Sequence, residues 1–202
     1  MLLLCTAVFC IDQLLLVFGL GLATPFGPLS PLDRYFALWP LSSGQFMPWQ
    51  VLTYALLHGD MTHLFFNMLG LWMFGAELER LWGQQRYTHM LLAGVLTAAA
   101  IQLLFTLLMG TRAPTVGISG ALFALLLSFG MLFPNRVIMP LFPPIPMKAR
   151  TFVAVFGGLE LLFGLLGRDG VAHFAHLGGM LGAFLLIRYW RGQSPFSRRR
   201  RR

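Results

Sequence analysis

The sequence predicts an all-α polytopic membrane protein in which six helices cross a bilayer as one bundle. Three observations carry this. Of the 202 residues, 57% are hydrophobic and 11% charged, where soluble domains carry about 25% charged residues. Six apolar stretches, 2–22, 61–77, 87–109, 116–133, 151–167 and 171–190, reach or approach the roughly 17–25 residues that cross a hydrocarbon core. The 22 glycines suit helices that pack closely in lipid, where small residues let backbones approach.

The first stretch has no basic leading region and no small-x-small cleavage site before Pro25, so it reads as a retained helix and not a signal peptide. Asp12 interrupts its apolarity without an evident role, and Cys5 and Cys10 within it offer neither a disulfide framework nor a metal spacing. The connection 23–60 holds prolines and glycines, then Pro48-Trp49-Gln50 and an apolar run to His58. That run is too short to span and predicts an interfacial or partly embedded helix anchored by Trp49. Gly59-Asp60 breaks the pattern before the second stretch. Between stretches four and five, Pro134, Pro140, Pro143, Pro144 and Pro146 exclude a continuous helix. No internal repeat is evident. The chain divides into a membrane domain, 1–192, and a basic tail, 193–202, and it shows no transit-like presequence, which favours a plasma membrane over an organelle.

The formal charge of +8 is distributed as a membrane protein's is. With both termini cytoplasmic, that side collects Arg80, Arg86, Arg136, Lys148, Arg150, Arg188, Arg191 and the run Arg198 to Arg202, against Arg34, Arg112 and Arg168 outside. Twelve basic residues against three is a positive-inside bias, and the tail is placed to meet anionic lipid. This arrangement argues against nucleic acid as a partner. It also makes stretches two, four and six run from outside to inside. His63, Ser119 and His176 lie near their starts, so topology puts all three at similar depth below the outer face.

Polar groups are expensive in hydrocarbon, which makes an intramembrane ionisable residue a functional hypothesis. Ser119 stands in Gly117-Ile-Ser-Gly120 at the start of its helix, where unsatisfied N–H groups and the helix dipole favour a developing oxyanion. His176 stands in Ala175-His176-Leu-Gly-Gly179. A close pairing of helices four and six through Gly120 and Gly179 would bring the imidazole within the ~2.6–3.2 Å that a general base needs. Gly178 and Gly182 add a GxxxG packing face. His63 and Asn67, four apart, share one helix face and with the Ser119 N–H can form an oxyanion hole. The plainer readings are a structural serine, a buried histidine bonded to a carbonyl, and a polar clasp between helices. Asp60 and Asp169 lie in loops and Glu77 near the far end of its span. No acid is therefore expected where it could orient His176, and a Ser–His dyad is the simplest proposal.

Across nearly its whole length the chain resembles the rhomboid family of intramembrane serine proteases, in a bacterial form. The resemblance is carried by Pro48-Trp49, His58, His63-Leu-Phe-Phe-Asn67, Gly75-Ala-Glu77-Leu-Glu79, Gly117-Ile-Ser-Gly120 and Ala175-His176-Leu-Gly-Gly179. It implies a six-helix rhomboid-like bundle, Ser119 as nucleophile, His176 as general base, and His63 and Asn67 as oxyanion donors. It further implies that the first connection is an embedded flap and that Glu77 holds helices together near the cytoplasmic side. Gln50 departs from the arginine that many members carry, and Ala183 from the glycine that some carry. His173 could tune His176 or face the outer cavity.

The function implied is hydrolysis of peptide bonds in or near transmembrane segments of other proteins, without metal or other cofactor, at a site open to the outer face. Two other classes compete. A catalytically silent relative would bind transmembrane clients, but such relatives usually lack the serine or histidine. A metal-dependent membrane protein could gather His58, His63, His173 and His176, yet there is no HExxH and no carboxylate within the spans completes an obvious ligand set.

Overall fold

The structure, a computed structural model, describes residues 1–25, 27–141, 144–166 and 172–193. Arg168, Asp169, Pro143 and the arginine run of the tail lie outside the described residues. Helix is the dominant element. Helix α1 (Leu2–Val17) ends earlier than its apolar stretch, because Gly19 takes φ 73° just beyond it. The residues that follow enter a small antiparallel hairpin, β1 (Leu22–Thr24) with β2 (Gly27–Leu29). A second hairpin, β3 (Val137–Ile138) with β4 (Met147–Lys148), closes the proline-rich connection. The all-α expectation is corrected to this extent.

Helix α2 (Pro31–Phe36) begins with a capping box, in which Ser30 and Asp33 satisfy each other's backbone N–H groups. The Ser30 hydroxyl also bonds the carboxylate of Asp12, which is buried in α1. Asp12 thus acquires a role that its own stretch did not disclose: it ties α1 to the first connection. Helix α3 (Gln50–Thr53) continues as a 3₁₀ turn, Tyr54–Leu56.

Gln50 is 0% exposed. Its Oε1 accepts from the backbone N–H of Trp39 (3.2 Å) and Met47 (3.1 Å), and its Nε2 donates to the carbonyls of Tyr35 (3.3 Å) and Gln45 (3.1 Å). A neutral amide, both donor and acceptor, therefore organises this connection. Gln50→Leu should orphan the buried Trp39 N–H, at about 1–3 kcal/mol, and the partly buried Met47 N–H at less. A fall of the thermal midpoint in detergent checks this, and an unchanged midpoint would contradict it.

Helix α4 (Met61–Gly70) passes through a π-helical turn, Leu71–Gly75, into α5 (Ala76–Met109). Within α5, Gly83 leaves helical geometry at φ 75° and ψ 162°. The Tyr87 hydroxyl lies where a Cβ on Gly75 would come within 2.6 Å. Twelve residues of straight helix would separate these two by about 18 Å, so the chain folds back at Gly83. The predicted stretches 61–77 and 87–109 fall on either side of that reversal. Among the described residues, Met61–Met109 and Ala149–Leu166 are the segments long and apolar enough to cross a membrane, while Leu2–Val17 and Ser119–Leu132 are apolar but shorter.

Helices α6 (Ser119–Leu132), α7 (Ala149–Leu166) and α8 (His173–Trp190) complete the fold. α8 packs against α5, α6 and α7, and α5 against α6. The contact of α6 with α8 runs through glycine: a Cβ on Gly179 would overlap the Gly120 carbonyl. The Gly178–Gly182 face, by contrast, rests on α5, where Gly178 meets the Thr97 carbonyl and Gly182 the Thr97 side chain and the Ala93 carbonyl. Around these contacts lies an aliphatic core that includes Ala121, Ala124, Leu125 and Ala183. At the far end, Glu77 forms an ion pair with Arg136, joining α5 to the connection after α6.

Candidate active site

Ser119 is the first residue of α6, and the turn before it is shaped by Gly117 at φ 115°. Only glycine adopts that backbone readily, and here a side chain would also collide: a Cβ on Gly117 would lie 2.7 Å from the His63 ring. The Gly117 N–H donates to the Tyr54 carbonyl at 2.9 Å, and Leu38 pairs with Thr115 through two backbone bonds. Both interactions anchor the serine turn to the first connection.

His63 and Asn67 project from α4, whose N-cap, Asp60, accepts from the His63 N–H at 2.8 Å. Asn67 is buried, and its Nδ2 has no hydrogen-bond partner among the described residues. An orphaned buried amide donor is uncommon and calls for an explanation. Both side chains approach the Gly117 turn. His58 packs edge-on to His63, with ring centroids 5.2 Å apart. Burial, aided by the neighbouring His63, holds the His58 pKa down at about 4.

His176, in the first turn of α8, brings its Nε2 to 2.7 Å from Ser119 Oγ. Its ring lies flat on Phe123, one helical turn beyond the serine, with centroids 4.4 Å apart and planes inclined by 8°. Its other nitrogen, Nδ1, is 2.8 Å from Glu160 Oε2 on α7. The same oxygen lies 2.7 Å from His173 Nδ1. This corrects the expectation that no acid reaches His176. Glu160 is the lone carboxylate in the apolar run 151–167, and the rule that drew attention to Ser119 and His176 applied to it equally. What the sequence did not disclose was the facing of α7 toward α8. Phe123 was also missed, as one apolar residue among many.

Glu160, His173 and His176 offer three potential metal-ligand atoms within 4.8 Å of one another. The acid-to-imidazole separations of 2.7 and 2.8 Å are those of direct hydrogen bonds. Ligands placed tetrahedrally around zinc would stand about 3.3 Å apart. The four histidines gathered in the metal-dependent reading form no common ligand group among the described residues. Trp49 is away from the chemistry, its half-exposed indole donating to the Tyr35 carbonyl at 2.9 Å.

Ser119, His176, His63, Asn67, His173 and Gln102 all line a cavity of about 1260 Å³. It is bordered by the Gly59-Asp60 corner and by loop residues from Thr111 to Val116. Residues at the starts of α4, α6 and α8 therefore meet at one cavity. Gln102 donates to the Thr115 hydroxyl at 3.1 Å and contributes a polar wall that the sequence analysis did not single out.

A family profile for the Rhomboid domain matches residues 45–192, which contain every side chain of this cluster. The chain belongs to the rhomboid family. It is 29% identical to the rhomboid protease GluP of Bacillus subtilis (strain 168) over 138 residues, 67% of this chain and 25% of that protein. It is 24% identical to the mitochondrial presenilin-associated rhomboid-like protein of Bos taurus over 168 residues, 80% of this chain and 44% of that one. It is also 29% identical to the mitochondrial rhomboid protein 1 of Saccharomyces cerevisiae over 129 residues, 63% and 37% respectively. This rhomboid chain thus spans less than half the length of these relatives.

Proposed function

We propose that this rhomboid-family chain is an intramembrane serine protease that hydrolyses peptide bonds in or near transmembrane segments of other membrane proteins. The observation that carries the reading is the 2.7 Å contact of His176 Nε2 with Ser119 Oγ inside a cavity edged by His63 and Asn67. His176 takes the hydroxyl proton as Ser119 Oγ attacks the scissile carbonyl carbon. The oxyanion then accepts hydrogen bonds from the Ser119 N–H, His63 and Asn67. Collapse breaks the C–N bond, His176 delivers its proton to the departing amine, and an acyl-enzyme remains. Water admitted by the cavity repeats the sequence and releases the acid. The substrate helix must unwind locally, because its carbonyls are otherwise hydrogen-bonded within the helix.

In this reading 1–192 is a six-span membrane domain in a plasma membrane, with the first connection as its embedded flap. Both termini are cytoplasmic, the site opens to the outer face, and the tail 193–202 lies against anionic lipid. Gly117, Gly120 and Gly179 shape the site, while Glu77 and Trp49 support the bundle and the flap.

The purified full chain in detergent should cleave a fluorescent transmembrane-peptide substrate at a rate indifferent to chelator. Loss of cleavage on chelation would instead favour a metal-dependent enzyme. Asn67→Ala should slow turnover by roughly 100- to 1,000-fold, the usual loss for one oxyanion donor. A wild-type rate in that variant would reduce Asn67 to a structural role.

A further inference from the structure

We infer that Glu160 is a positioning residue for the Ser119–His176 pair, clamped by His173, so that the working unit is a Glu–His–Ser relay drawn from three helices. The inference rests on the serine-hydrolase reading above. An ionised carboxylate only accepts hydrogen bonds. With Glu160 Oε2 at 2.8 Å from His176 Nδ1, that nitrogen must carry the proton in the neutral ring. The remaining nitrogen, Nε2, is then a bare lone pair, and it is the one that faces Ser119 Oγ at 2.7 Å. The opposite tautomer would aim an N–H at the serine and leave no base. Glu160 therefore selects the one form of His176 that can accept the hydroxyl proton, and its charge lies beside the imidazolium that forms.

The surrounding contacts support a built arrangement. Stacking on Phe123 fixes the plane of the His176 ring, and the bond to Glu160 fixes its rotation within that plane. The Glu160 side chain is 14% exposed, and a largely buried carboxylate is costly unless donors surround it. Here His173 Nδ1, at 2.7 Å, supplies a second donor to the same oxygen. Gly157 and Gly164 lie three residues before and four after Glu160 and so share its face of α7. A Cβ at Gly157 would be 3.1 Å from Met180, and one at Gly164 would be 2.9 Å from Phe174 and 3.2 Å from His173. These absent side chains are what let α7 approach α8 closely enough for the carboxylate to reach both imidazoles. A clasp serving only to join α7 to α8 would be satisfied by His173 alone and would not need the nitrogen of the ring that touches the serine.

The test is Glu160→Gln in the full chain, read by steady-state cleavage of a transmembrane peptide and by ¹⁵N NMR of labelled histidine, with His176 assigned by its loss in His176→Asn. In wild type the His176 proton should be on Nδ1. In the variant the glutamine amide can donate to Nδ1 and drive the proton to Nε2. The value of kcat should fall at least about tenfold, toward the ~10⁴-fold that the same acid-to-amide change costs in a serine triad, while KM stays within about twofold. Glu160→Asp, which keeps the carboxylate, should recover part of kcat. Ser119-dependent cleavage at the wild-type kcat in Glu160→Gln would overturn the relay while leaving the protease reading intact. A proton on Nε2 of His176 in wild type would also overturn it, and that measurement needs no variant to fold. Absence of any Ser119-dependent cleavage by wild type would remove both.

Discussion

Ser119→Ala is expected to bring cleavage of a transmembrane peptide down to background, and His176→Ala to do the same. Removing either member of such a pair costs about 10⁶ in kcat in a well-studied serine protease, beyond the range of most detergent assays. Neither change should unfold the chain. Ser119 Oγ engages His176 at 2.7 Å at the start of α6, so alanine loses a hydroxyl at the edge of a cavity and no core packing. His176→Ala leaves Glu160 with its bond to His173. Lost turnover in both is expected, with a midpoint close to wild type for Ser119→Ala and a lower midpoint but a folded chain for His176→Ala, which also gives up the stacking on Phe123. Full activity in either variant would dismiss that residue from the chemistry.

Gly179→Val should have the largest effect on the fold. Every Cβ at this position is driven into the carbonyl of Gly120. That carbonyl is backbone, and Gly120 is itself pressed against Ala98. Relief requires α6 and α8 to separate, which would pull His176 from Ser119 as well. A loss of about 3 kcal/mol or more, at or above the top of the usual range for overpacking, is expected as a lowered thermal midpoint, with activity lost in parallel. A variant with the wild-type midpoint and rate would show that the two helices do not meet through these glycines. Gly158 is the natural control, because an added Cβ there meets nothing within 4 Å.

The parts of the site that could be read from sequence were those fixed by local pattern and by direction of travel. Ser119 and His176 announced themselves as polar residues in apolar runs beside glycine, and the charge asymmetry put their helix starts at one end. His63 and Asn67 followed from spacing on a single helix. The pairing through Gly120 and Gly179 was legible because a glycine contact has few alternatives.

Glu160 was not assigned for a different reason. Its position in α7 is as conspicuous as that of Ser119, but its partner is set by the rotation of α7 about its axis. Gly157, Glu160 and Gly164 mark one face of that helix by their spacing, but the stripe does not say that α8 is the element it meets. The Gly178–Gly182 face shows the same limit: the motif marks a close contact but does not say that α5 fills it. Asp12 was visible as a break in apolarity and Gln50 as a departure from arginine, yet their partners, a capping serine 18 residues on and backbone groups 3 to 15 residues before, carry no sequence signal of the pairing. The end of α1 was misjudged because apolarity runs past Gly19 while the backbone turns there. The small hairpins were missed because two or three residues give no usable alternation.

The most direct measurement is to treat the purified chain with a fluorophosphonate serine probe and locate the adduct by peptide mass spectrometry. One adduct is expected, on Ser119, absent in Ser119→Ala and much reduced in His176→Ala, where the hydroxyl has lost its base. Labelling confined to another residue, or peptide cleavage that persists with Ser119 fully blocked, would contradict the assignment of Ser119 as the nucleophile.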